Sequence, residues 1–407
     1  MTVNAPLFPA LGAQRDAAAP FTYLDSATTA LTPQVVIDAV TQTLAQGGSA
    51  GRSVHALGLK ATEHYEQART TVARHLGGEA AELVFVRSAT EGLNLLAEGW
   101  ARPRVGPGDE ICVTVAEHHS NLLPWRRVCE QRGARLVVAP CDDHGDLELS
   151  ALRHRLTRRT KLLAVTHVSN VTGAQTSIPE VARALAASPA AGAPLVVDGA
   201  QAVAHHAIDV ADLGCDFYVL SGHKAHGPAG IGAVWAKPER WRQTQPLLVG
   251  GGMVDHVSAE RIDYAEGPAR LEAGTPNVAG AVGLAAALRF LAEHRDPSRE
   301  HGLVCAAAQA LGALPGIRLL GAPRRRIGAI SFVVDGIHAH DVGSVLDSHG
   351  VAVRAGHHCA QPLLARFGVG AAVRASFGLH NDQADVDRLV TALAQVRRTM
   401  GRLRSCG

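Results

Sequence analysis

The sequence predicts an α/β fold, in which a large domain with a mostly parallel seven-stranded sheet covered by helices is followed by a smaller α+β C-terminal domain. Three observations support this prediction. Short apolar, β-branched segments that end in polar residues recur from residue 83 to residue 236, helical patterns separate most of them, and the rhythm changes after residues 274–277. The chain of 407 residues is long enough for two such domains.

The large domain is predicted from alternating strand and helix patterns. The strands are expected at 83–87, 110–115, 135–139, 161–167, 194–197, 217–220 and 231–236. The helical patterns between them include 91–100, 121–131, 149–155 and 178–187. Because strands and helices alternate, we expect most strands to be parallel. The last three strands follow one another closely, which leaves room for one antiparallel pair.

The C-terminal part has a different order of elements. An Ala/Leu-rich helix pattern at 279–294 leads into a helix at 303–314, strands at 329–334, 351–355 and 372–377, and a final helix at 384–400. We therefore expect a large domain at 21–285 and a small domain at 286–407. Residues 1–20 are rich in Ala and Pro and are expected to form a loosely held tail.

The composition is that of an ordinary globular protein, with 47% hydrophobic and 19% charged residues. The 39 basic residues nearly balance the 37 acidic ones, so neither a nucleic acid nor an acidic membrane surface is an expected partner. No uncharged apolar run approaches the ~18–20 residues of a membrane span, and the first twenty residues lack the basic and apolar regions of a signal peptide. We expect a cytoplasmic protein.

Two side-chain counts restrict the chemistry. The seven cysteines are scattered and form no CxxC pair, which argues against a disulfide framework and against a cysteine zinc site, and no metal site is expected. Most of these cysteines should be buried as small hydrophobic residues. Lysine is rare, so a reaction that needs an amine has four candidates: Lys60, Lys161, Lys224 and Lys237.

Polar residues directly follow several predicted strands. Asp198 ends one buried strand, and Lys224 follows the next one in Ser221-Gly222-His223-Lys224. Ligands bind at the carboxyl ends of strands in sheets of this kind, so these residues are expected at one edge. The same edge should receive Ser88-Ala89-Thr90, which opens a helix, Glu117-His118-His119-Ser120-Asn121, and Ser169-Asn170.

Each feature also has a simpler explanation. Asp198 and Lys224 alone could form a structural salt bridge, and Ser88 could be an ordinary helix cap. Together, however, the set supplies what pyridoxal 5'-phosphate requires. It has an amine for a Schiff base, a carboxylate for the pyridine nitrogen, a helix N-terminus for the phosphate and an imidazole for the ring face. Of the four lysines, Lys224 alone is placed among small flexible residues at this edge.

The small domain adds a cysteine and an arginine. Cys359 lies in the loop Arg354-Ala355-Gly356-His357-His358-Cys359-Ala360-Gln361-Pro362, which is rich in Gly, His and Pro and is therefore not a core segment. Nearby basic residues create a cationic setting that favours a thiolate. Arg374, in a short strand, has a guanidinium group whose paired N–H donors suit a substrate carboxylate. A surface salt bridge would explain the presence of this arginine equally well.

These motifs resemble those of the group II (SufS-type) cysteine desulfurases in the class V aminotransferase superfamily, pyridoxal-phosphate enzymes of fold type I. The resemblance covers roughly residues 23–396. Besides the segments already given, it includes Tyr23-Leu24-Asp25-Ser26-Ala27, Thr166-His167-Val168-Ser169-Asn170, Asp198-Gly199-Ala200-Gln201 and Gly274-Thr275-Pro276-Asn277. The Ser-Gly-His-Lys stretch marks the superfamily, and the Gly-His-His-Cys loop points to the desulfurase branch.

The resemblance implies a role for each matched residue. Lys224 would form the Schiff base, Asp198 would pair with the pyridine nitrogen, Gln201 would donate to the ring hydroxyl oxygen and His118 would stack on the ring. The phosphate would be held by Thr90, Ser221 and His223, with Ala89 at a position where a second Thr is common. Thr275 would complete the phosphate site of the other subunit, which implies a homodimer. Asn170 and Arg374 would bind the substrate carboxylate, Cys359 would accept the sulfur, and His55 and Arg354 would be further members of the site.

The implied activity is conversion of L-cysteine to L-alanine, with a persulfide on Cys359 that passes to an acceptor protein of SufE or SufU type, in iron–sulfur cluster assembly. L-selenocysteine is a further possible substrate. The nearest alternative is a selenocysteine lyase, another C–S lyase or an epimerase on the same scaffold, with Cys359 incidental. An alternative of another class is a scaffold protein that binds a partner without turnover, which the combined presence of Lys224, Asp198 and Arg374 argues against.

Overall fold

The computed structural model describes residues 7–12, 21–51 and 53–405. Its strands are β1 Thr22–Tyr23, β2 Leu83–Val86, β3 Glu110–Thr114, β4 Arg135–Ala139, β5 Thr160–Thr166, β6 Leu195–Asp198, β7 Phe217–Ser221, β8 Gly232–Ala236, β9 Val254–Val257, β10 Ile262–Tyr264, β11 Ile317–Leu319, β12 Ala329–Val334, β13 Val351–Ala352, β14 Arg354–Gly356 and β15 Ala372–Ser376. Its α-helices are α1 Pro9–Gly12, α2 Gln34–Gln46, α3 Ala56–His75, α4 Ala89–Leu95, α5 Leu123–Arg132, α6 Leu149–Arg155, α7 Ile178–Ala186, α8 Val210–Leu213, α9 Pro238–Gln243, α10 Val278–His294, α11 Pro297–Gly312, α12 Ala339–Ser348, α13 Gln361–Arg366 and α14 Gln383–Ser405. A π-helical turn, Leu96–Ala101, continues α4.

The central sheet has seven strands in the order β2-β8-β7-β6-β5-β3-β4. All neighbouring pairs are parallel except those of β8, which is antiparallel to both β7 and β2. The inner strands are buried on both faces, as expected for apolar, β-branched segments covered by helices, whereas the edge strand β4 is partly exposed. The predicted seven-stranded, mostly parallel sheet is therefore confirmed, and among its last three strands in the chain one pair, β7–β8, is antiparallel.

The small domain contains a four-stranded antiparallel sheet in the order β11-β12-β15-β14. A hydrophobic core lies between this sheet and helices α11, α12 and α14, with Ile330, Phe332 and Phe377 fully buried in it. The segment predicted as one strand at 351–355 forms two short strands, because β13 pairs with β1 and β14 pairs with β15.

The boundary expected at residue 285 falls inside α10. Residues of this helix on both sides of that point, including Ala281 and Leu291, are buried in the core of the large domain. The helix has no break at 285, since apolar residues continue to Leu291 and the helix ends only at His294. We therefore propose that the division between the domains follows His294.

The segment 7–12 lies within the N-terminal tail predicted for residues 1–20. It forms the short helix α1, and the preceding Phe8 is only 1% exposed. The Phe8 ring lies 5.5 Å from the His226 ring, 5.9 Å from the Phe290 ring and 5.5 Å from the His380 ring. These six residues are therefore held against the body of the protein, and the rest of the predicted tail lies outside the described residues.

Two further observations concern the described residues as a whole. None of their helices combines the length and the apolar character needed to cross a membrane. Of their six cysteines, four are buried, as the sequence predicts, Cys305 is exposed and Cys359 is partly exposed, whereas Cys406 lies outside the described residues.

Candidate active site

Asp198 and Lys224 lie at the carboxyl ends of two adjacent parallel strands. Asp198 is the last residue of β6, is 6% exposed and accepts a hydrogen bond from the Ala200 N–H (3.0 Å). Lys224 ends the single 3₁₀ turn that follows β7. Burial lowers the pKa of Lys224, and the negative charge of Asp198 opposes this effect. Burial raises the pKa of Asp198, and the positive charge of Lys224 opposes that effect.

These two residues attract each other without direct contact, because the ion pairs among the described residues do not include an Asp198–Lys224 pair. The simpler explanation of a structural salt bridge therefore does not describe this structure. Gly199 next to Asp198 is required sterically, since a Cβ there would lie 2.2 Å from carbon atoms of the Tyr218 ring. The amine and the carboxylate are thus held at one edge of the sheet without contacting each other.

The start of α4 meets the end of β7. The Ala89 N–H donates to Ser221 Oγ (2.7 Å), and the Ser88 hydroxyl caps the helix by accepting from the Glu91 N–H (3.3 Å). The exposed Thr90 hydroxyl lies 2.8 Å from the hydroxyl oxygen of Ser120. Hydroxyl groups from three different segments therefore meet at a helix N-terminus, an arrangement that suits a phosphate.

His118 and Gln201 extend this site. His118 Nδ1 accepts a hydrogen bond from the Ser120 N–H (3.1 Å), which assigns the ring proton to Nε2. Burial, reinforced by the positive charge of Lys224, lowers the pKa of His118 to about 3, so the imidazole is neutral at physiological pH. The buried Gln201 is held by donation from its Nε2 to the Ala27 carbonyl (2.9 Å).

Arg374 is fully buried and faces the N-terminal segment. Its Nη2 donates to Asp25 Oδ1 (3.1 Å) and Thr28 Oγ1 (2.8 Å), and its Nη1 donates to the Asn170 carbonyl (3.1 Å). Burial lowers the pKa of Arg374 to about 10, against the stabilising charge of Asp25. The alternative of a surface salt bridge is excluded, because this guanidinium lies in the interior beside Asn170.

The Cys359 loop approaches the same site from the small domain. Arg354 Nη2 lies 3.9 Å from Cys359 Sγ, so a positive charge faces the sulfur atom. The Cys359 carbonyl accepts from the His119 N–H (2.7 Å), which ties the loop to the segment that carries His118. Besides burial, the positive charges of Arg374 and Arg354 lower the pKa of Lys224, and Thr28 Oγ1 accepts from both guanidinium groups (2.8 and 3.2 Å). The structure therefore brings the predicted lysine, carboxylate binder and thiol into one site.

Three further predicted residues lie beside Lys224 or on the surface. His223 is half-buried beside Lys224, and its carbonyl accepts from the Ala30 N–H (2.8 Å). His55 is exposed and caps α3, where its Nδ1 accepts from the Gly58 N–H (3.2 Å). Thr275 is exposed on a surface groove that Leu44 and Leu57 also line. Within the described chain, no hydrogen bond or ion pair joins His55 or Thr275 to the Lys224 site.

Several functional neighbours were not assigned roles from the sequence. Asp25 and Thr28 hold Arg374, and Ser120 contacts both Thr90 and His118. Asp25 lies in the motif Tyr23-Leu24-Asp25-Ser26-Ala27, and its negative charge is the sequence feature that could have indicated a contact with an arginine. Glu117 is 1% exposed and accepts from the Asn121 side chain and from the Thr166 N–H (3.0 Å).

The donor set fits pyridoxal 5'-phosphate. An amine whose pKa burial lowers, a separate buried carboxylate and a hydroxyl-lined helix N-terminus lie along one edge, and a neutral imidazole stands beside them. These are the groups needed for the aldehyde, the pyridine nitrogen, the phosphate and the ring face, respectively. No group of three or more potential metal ligands of the His, Cys, Asp or Glu type occurs in the described part of the chain.

Comparison with known proteins is consistent with this donor set. The family model described as aminotransferase class-V matches residues 22–389. A cysteine desulfurase of Salmonella agona is 44% identical over 388 residues, which cover 94% of this chain and 95% of that protein. The solved structure of the cysteine desulfurase CsdA of Escherichia coli is 40% identical, with a TM-score of 0.87 and coverage of 97% of this chain and 98% of that one. The cysteine desulfurase of Thermococcus onnurineus NA1 is 37% identical, with a TM-score of 0.88 and coverage of 93% and 95%.

Proposed function

The chain belongs to the class V aminotransferase family and, within it, to the cysteine desulfurases, and from that premise we propose that its Lys224 site converts L-cysteine to L-alanine and delivers the sulfur to Cys359. One observation carries the assignment of residues. The segment 28–30 joins these groups: Thr28 Oγ1 accepts from both Arg354 Nη1 (3.2 Å) and Arg374 Nη2 (2.8 Å), and the Ala30 N–H donates to the His223 carbonyl (2.8 Å) next to Lys224. Arg354 Nη2 in turn lies 3.9 Å from Cys359 Sγ. A binding protein without turnover would not need an amine, a carboxylate binder and a thiol at one point.

We assign the cofactor contacts by the chemistry of each side chain. Lys224 would hold the aldehyde, Asp198 the pyridine nitrogen and Gln201 the ring hydroxyl oxygen, while His118 would cover the ring. A further set would hold the phosphate: Ala89, Thr90, Ser221, His223 and the partner subunit's Thr275. When bound, pyridoxal phosphate withdraws electrons from the substrate bonds at Cα.

The substrate carboxylate would bind beside Arg374 and Asn170. The guanidinium is already oriented by Asp25, Thr28 and the Asn170 carbonyl, so little side-chain entropy is lost when the substrate binds. Arg354 and the partner subunit's His55 would complete this part of the site. Binding one end of cysteine here fixes where its Cα and its sulfur atom lie.

Two side chains are suited to move protons. Because burial lowers the pKa of Lys224, its Nζ, when free, is available as a base for the proton at the substrate Cα. His118 is neutral, and its Nε2–H is the donor that its contact with Ser120 leaves available. We propose that His118 Nε2 donates a proton to the substrate during its conversion to alanine.

Cys359 would then accept the sulfur atom. Its thiolate attacks the substrate sulfur, a new S–S bond forms and the Cβ–S bond breaks. The electron pair of the broken bond remains with the substrate carbon, which takes up a proton on the way to alanine. The positive charge of Arg354, 3.9 Å from Sγ, lies beside the attacking atom.

The persulfide would pass to a dedicated acceptor protein. Nineteen residues separate Arg354 from Arg374, and the loop is tied to His119, so Cys359 has little freedom to move outward. This short loop supports the group II assignment and an acceptor of SufE or SufU type that reaches into the site. We further propose cytoplasmic sulfur delivery for iron–sulfur cluster assembly, and L-selenocysteine as a second substrate.

A homodimer would explain the positions of His55 and Thr275. Apolar side chains stand exposed near them, with Val54 94%, Leu57 54% and Leu44 68% exposed. Leu44 and Leu57 line the groove that also contains Thr275. Burying this surface against a second copy would remove the apolar side chains from water and place Thr275 at the other subunit's site.

The test is to incubate the protein with L-cysteine and to measure persulfide by mass spectrometry together with alanine. We expect one persulfide on Cys359 and an equal amount of alanine in the first turnover. Cys359→Ala should abolish both while leaving the bound cofactor intact, whereas Cys305→Ala, a matched control at the exposed cysteine, should change neither. Alanine formation at the normal rate in Cys359→Ala would favour the alternative of a C–S lyase with an incidental cysteine.

A further inference from the structure

Two consecutive residues of the cysteine loop have an unusual backbone conformation. His358 and Cys359 have φ angles of 51° and 54°, in the left-handed region that non-glycine residues rarely adopt. In the described chain His226 alone shares this property among non-glycine residues. This conformation is strained for a residue with a side chain, so surrounding contacts must hold the loop in this shape.

The contacts that hold the loop converge on His358. Its ring is 1% exposed, and its Nε2 lies 3.0 Å from the Ala372 carbonyl on β15. Its own carbonyl accepts from Asn170 Nδ2 (2.7 Å). Thus one buried residue joins the cysteine loop to the small-domain sheet and to the proposed substrate-carboxylate site.

The protonation of His358 defines the direction of the first contact. Burial and the positive charge of Arg374 lower the pKa of His358 to about 3, so the ring is neutral. Since a carbonyl oxygen only accepts, the ring proton must be on Nε2, which donates to Ala372. Nδ1 has no hydrogen-bond partner in the described part of the chain, so the Ala372 bond is the polar contact that fixes the ring.

We propose that His358 is a positioning residue for Cys359. Its Nε2–H bond to Ala372 and its carbonyl bond to Asn170 impose the left-handed turn that places the Cys359 sulfur beside Arg354. The backbone carbonyl of Asn170 also accepts from Arg374 Nη1, so one residue contacts both Arg374, which is proposed to bind the substrate carboxylate, and the turn that orients the thiol. This inference rests on the proposed role of Cys359 as sulfur acceptor.

The test compares His358→Ala, His358→Gly and His358→Gln with the wild type. Glycine adopts positive φ without steric cost. If the alanine variant fails to fold, His358→Gly therefore still allows the left-handed backbone conformation at this position. The glutamine side chain retains an N–H donor for Ala372. His349→Ala, at an exposed histidine, serves as the matched control.

The first readout is the rate at which iodoacetamide alkylates Cys359 in the holoenzyme, measured by mass spectrometry. Loss of the hydrogen bond to Ala372 should loosen the loop and change this rate by about fivefold in the alanine and glycine variants, the factor that corresponds to about 1 kcal/mol. The second readout is the single-turnover rate of persulfide formation, which should fall by about 10²-fold because the sulfur atom is misplaced. KM for cysteine should change much less, and His358→Gln should recover most of both rates.

Unchanged alkylation and persulfide rates in His358→Ala and His358→Gly would overturn the proposal. Failure of His358→Gln to recover either rate, with an unchanged melting temperature, would overturn the role assigned to the Ala372 bond. A wild-type protein that forms no persulfide on Cys359 would instead refute the proposed function, while the alkylation rates would still test the positioning role.

Discussion

Replacement of Glu272 by Gln should strongly destabilise the large domain. The Glu272 side chain is 9% exposed and lies against Arg69, whose side chain is 5% exposed. Its carboxylate accepts from Arg69 Nη1 (2.6 Å), Arg69 Nη2 (2.9 Å), the Tyr65 hydroxyl (2.9 Å) and the Phe85 N–H (2.6 Å). Although burial alone would lower the pKa of Arg69, its bonds and charge interaction with Glu272 raise that pKa overall.

The size of the effect follows from this geometry. Glutamine removes the negative charge and turns one acceptor into a donor that faces other donors. Removal of one partner from a buried ion pair costs about 3–5 kcal/mol. Glu66 still contacts Arg69 at 2.9 Å, so we expect a loss near the lower end of this range, about 3 kcal/mol. Glu66 is 53% exposed, and Glu66→Gln should cost at most about 1 kcal/mol.

Thermal unfolding followed by tryptophan fluorescence measures this difference. All four tryptophans lie in the large domain: Trp100, Trp125, Trp235 and Trp241. For a domain of this size, about 3 kcal/mol corresponds to a fall in melting temperature of about 6–12 °C. Glu66→Gln is the control for the loss of charge at Arg69. A shift below about 2 °C for Glu272→Gln, or equal shifts for the two variants, would refute the reasoning.

Three other substitutions test the cofactor contacts and the pH dependence of stability. Lys224→Ala should leave a protein that loses its cofactor absorbance on dialysis and has no turnover, and recovery of a covalent link at another lysine would contradict the assignment. Asp198→Asn should retain the fold and the cofactor but lose most of the rate, since an amide does not hold the pyridine nitrogen protonated, and an unchanged kcat would argue against this role. Burial raises the pKa of Glu117 from 4.5 to about 8, so the folded protein keeps a proton that the unfolded chain releases. Stability should therefore fall as pH rises through this window, by on the order of 4 kcal/mol, and melting temperatures of Glu117→Gln at about pH 5 and about pH 8 should lack this dependence.

The central sheet could be predicted because its strands are short apolar runs buried on both faces. The same criterion fails for the hairpin β9–β10, whose residues are mostly exposed. It also fails for α2, which buries only Val36 of its thirteen residues. Periodicity therefore predicted the buried strands of the central sheet and missed these two elements on the surface.

The site could be predicted where its residues share a sheet edge. Asp198 and Lys224 follow adjacent strands, so their proximity follows from the order of strands. The pairing of Arg374 with Asp25 could not be inferred in this way, because 349 residues separate them and they come from different domains. Thr275 illustrates another limit, since the contact expected of it requires a second chain.

The pairing of the N-terminal segment with the small domain also has a consequence for biosynthesis. The Thr22 N–H donates to the Gly350 carbonyl, the Leu24 N–H donates to the Ala352 carbonyl, and Asp25 binds Arg374. At about 5–20 residues per second, a ribosome that has added Asp25 needs roughly 20–70 s to add the next 349 residues, the last of which is Arg374. During that time the large-domain core can form, while the first strand has no partner. A nascent or prematurely terminated chain therefore lacks the arginine that would bind substrate, and competence for catalysis arises only when translation is almost complete.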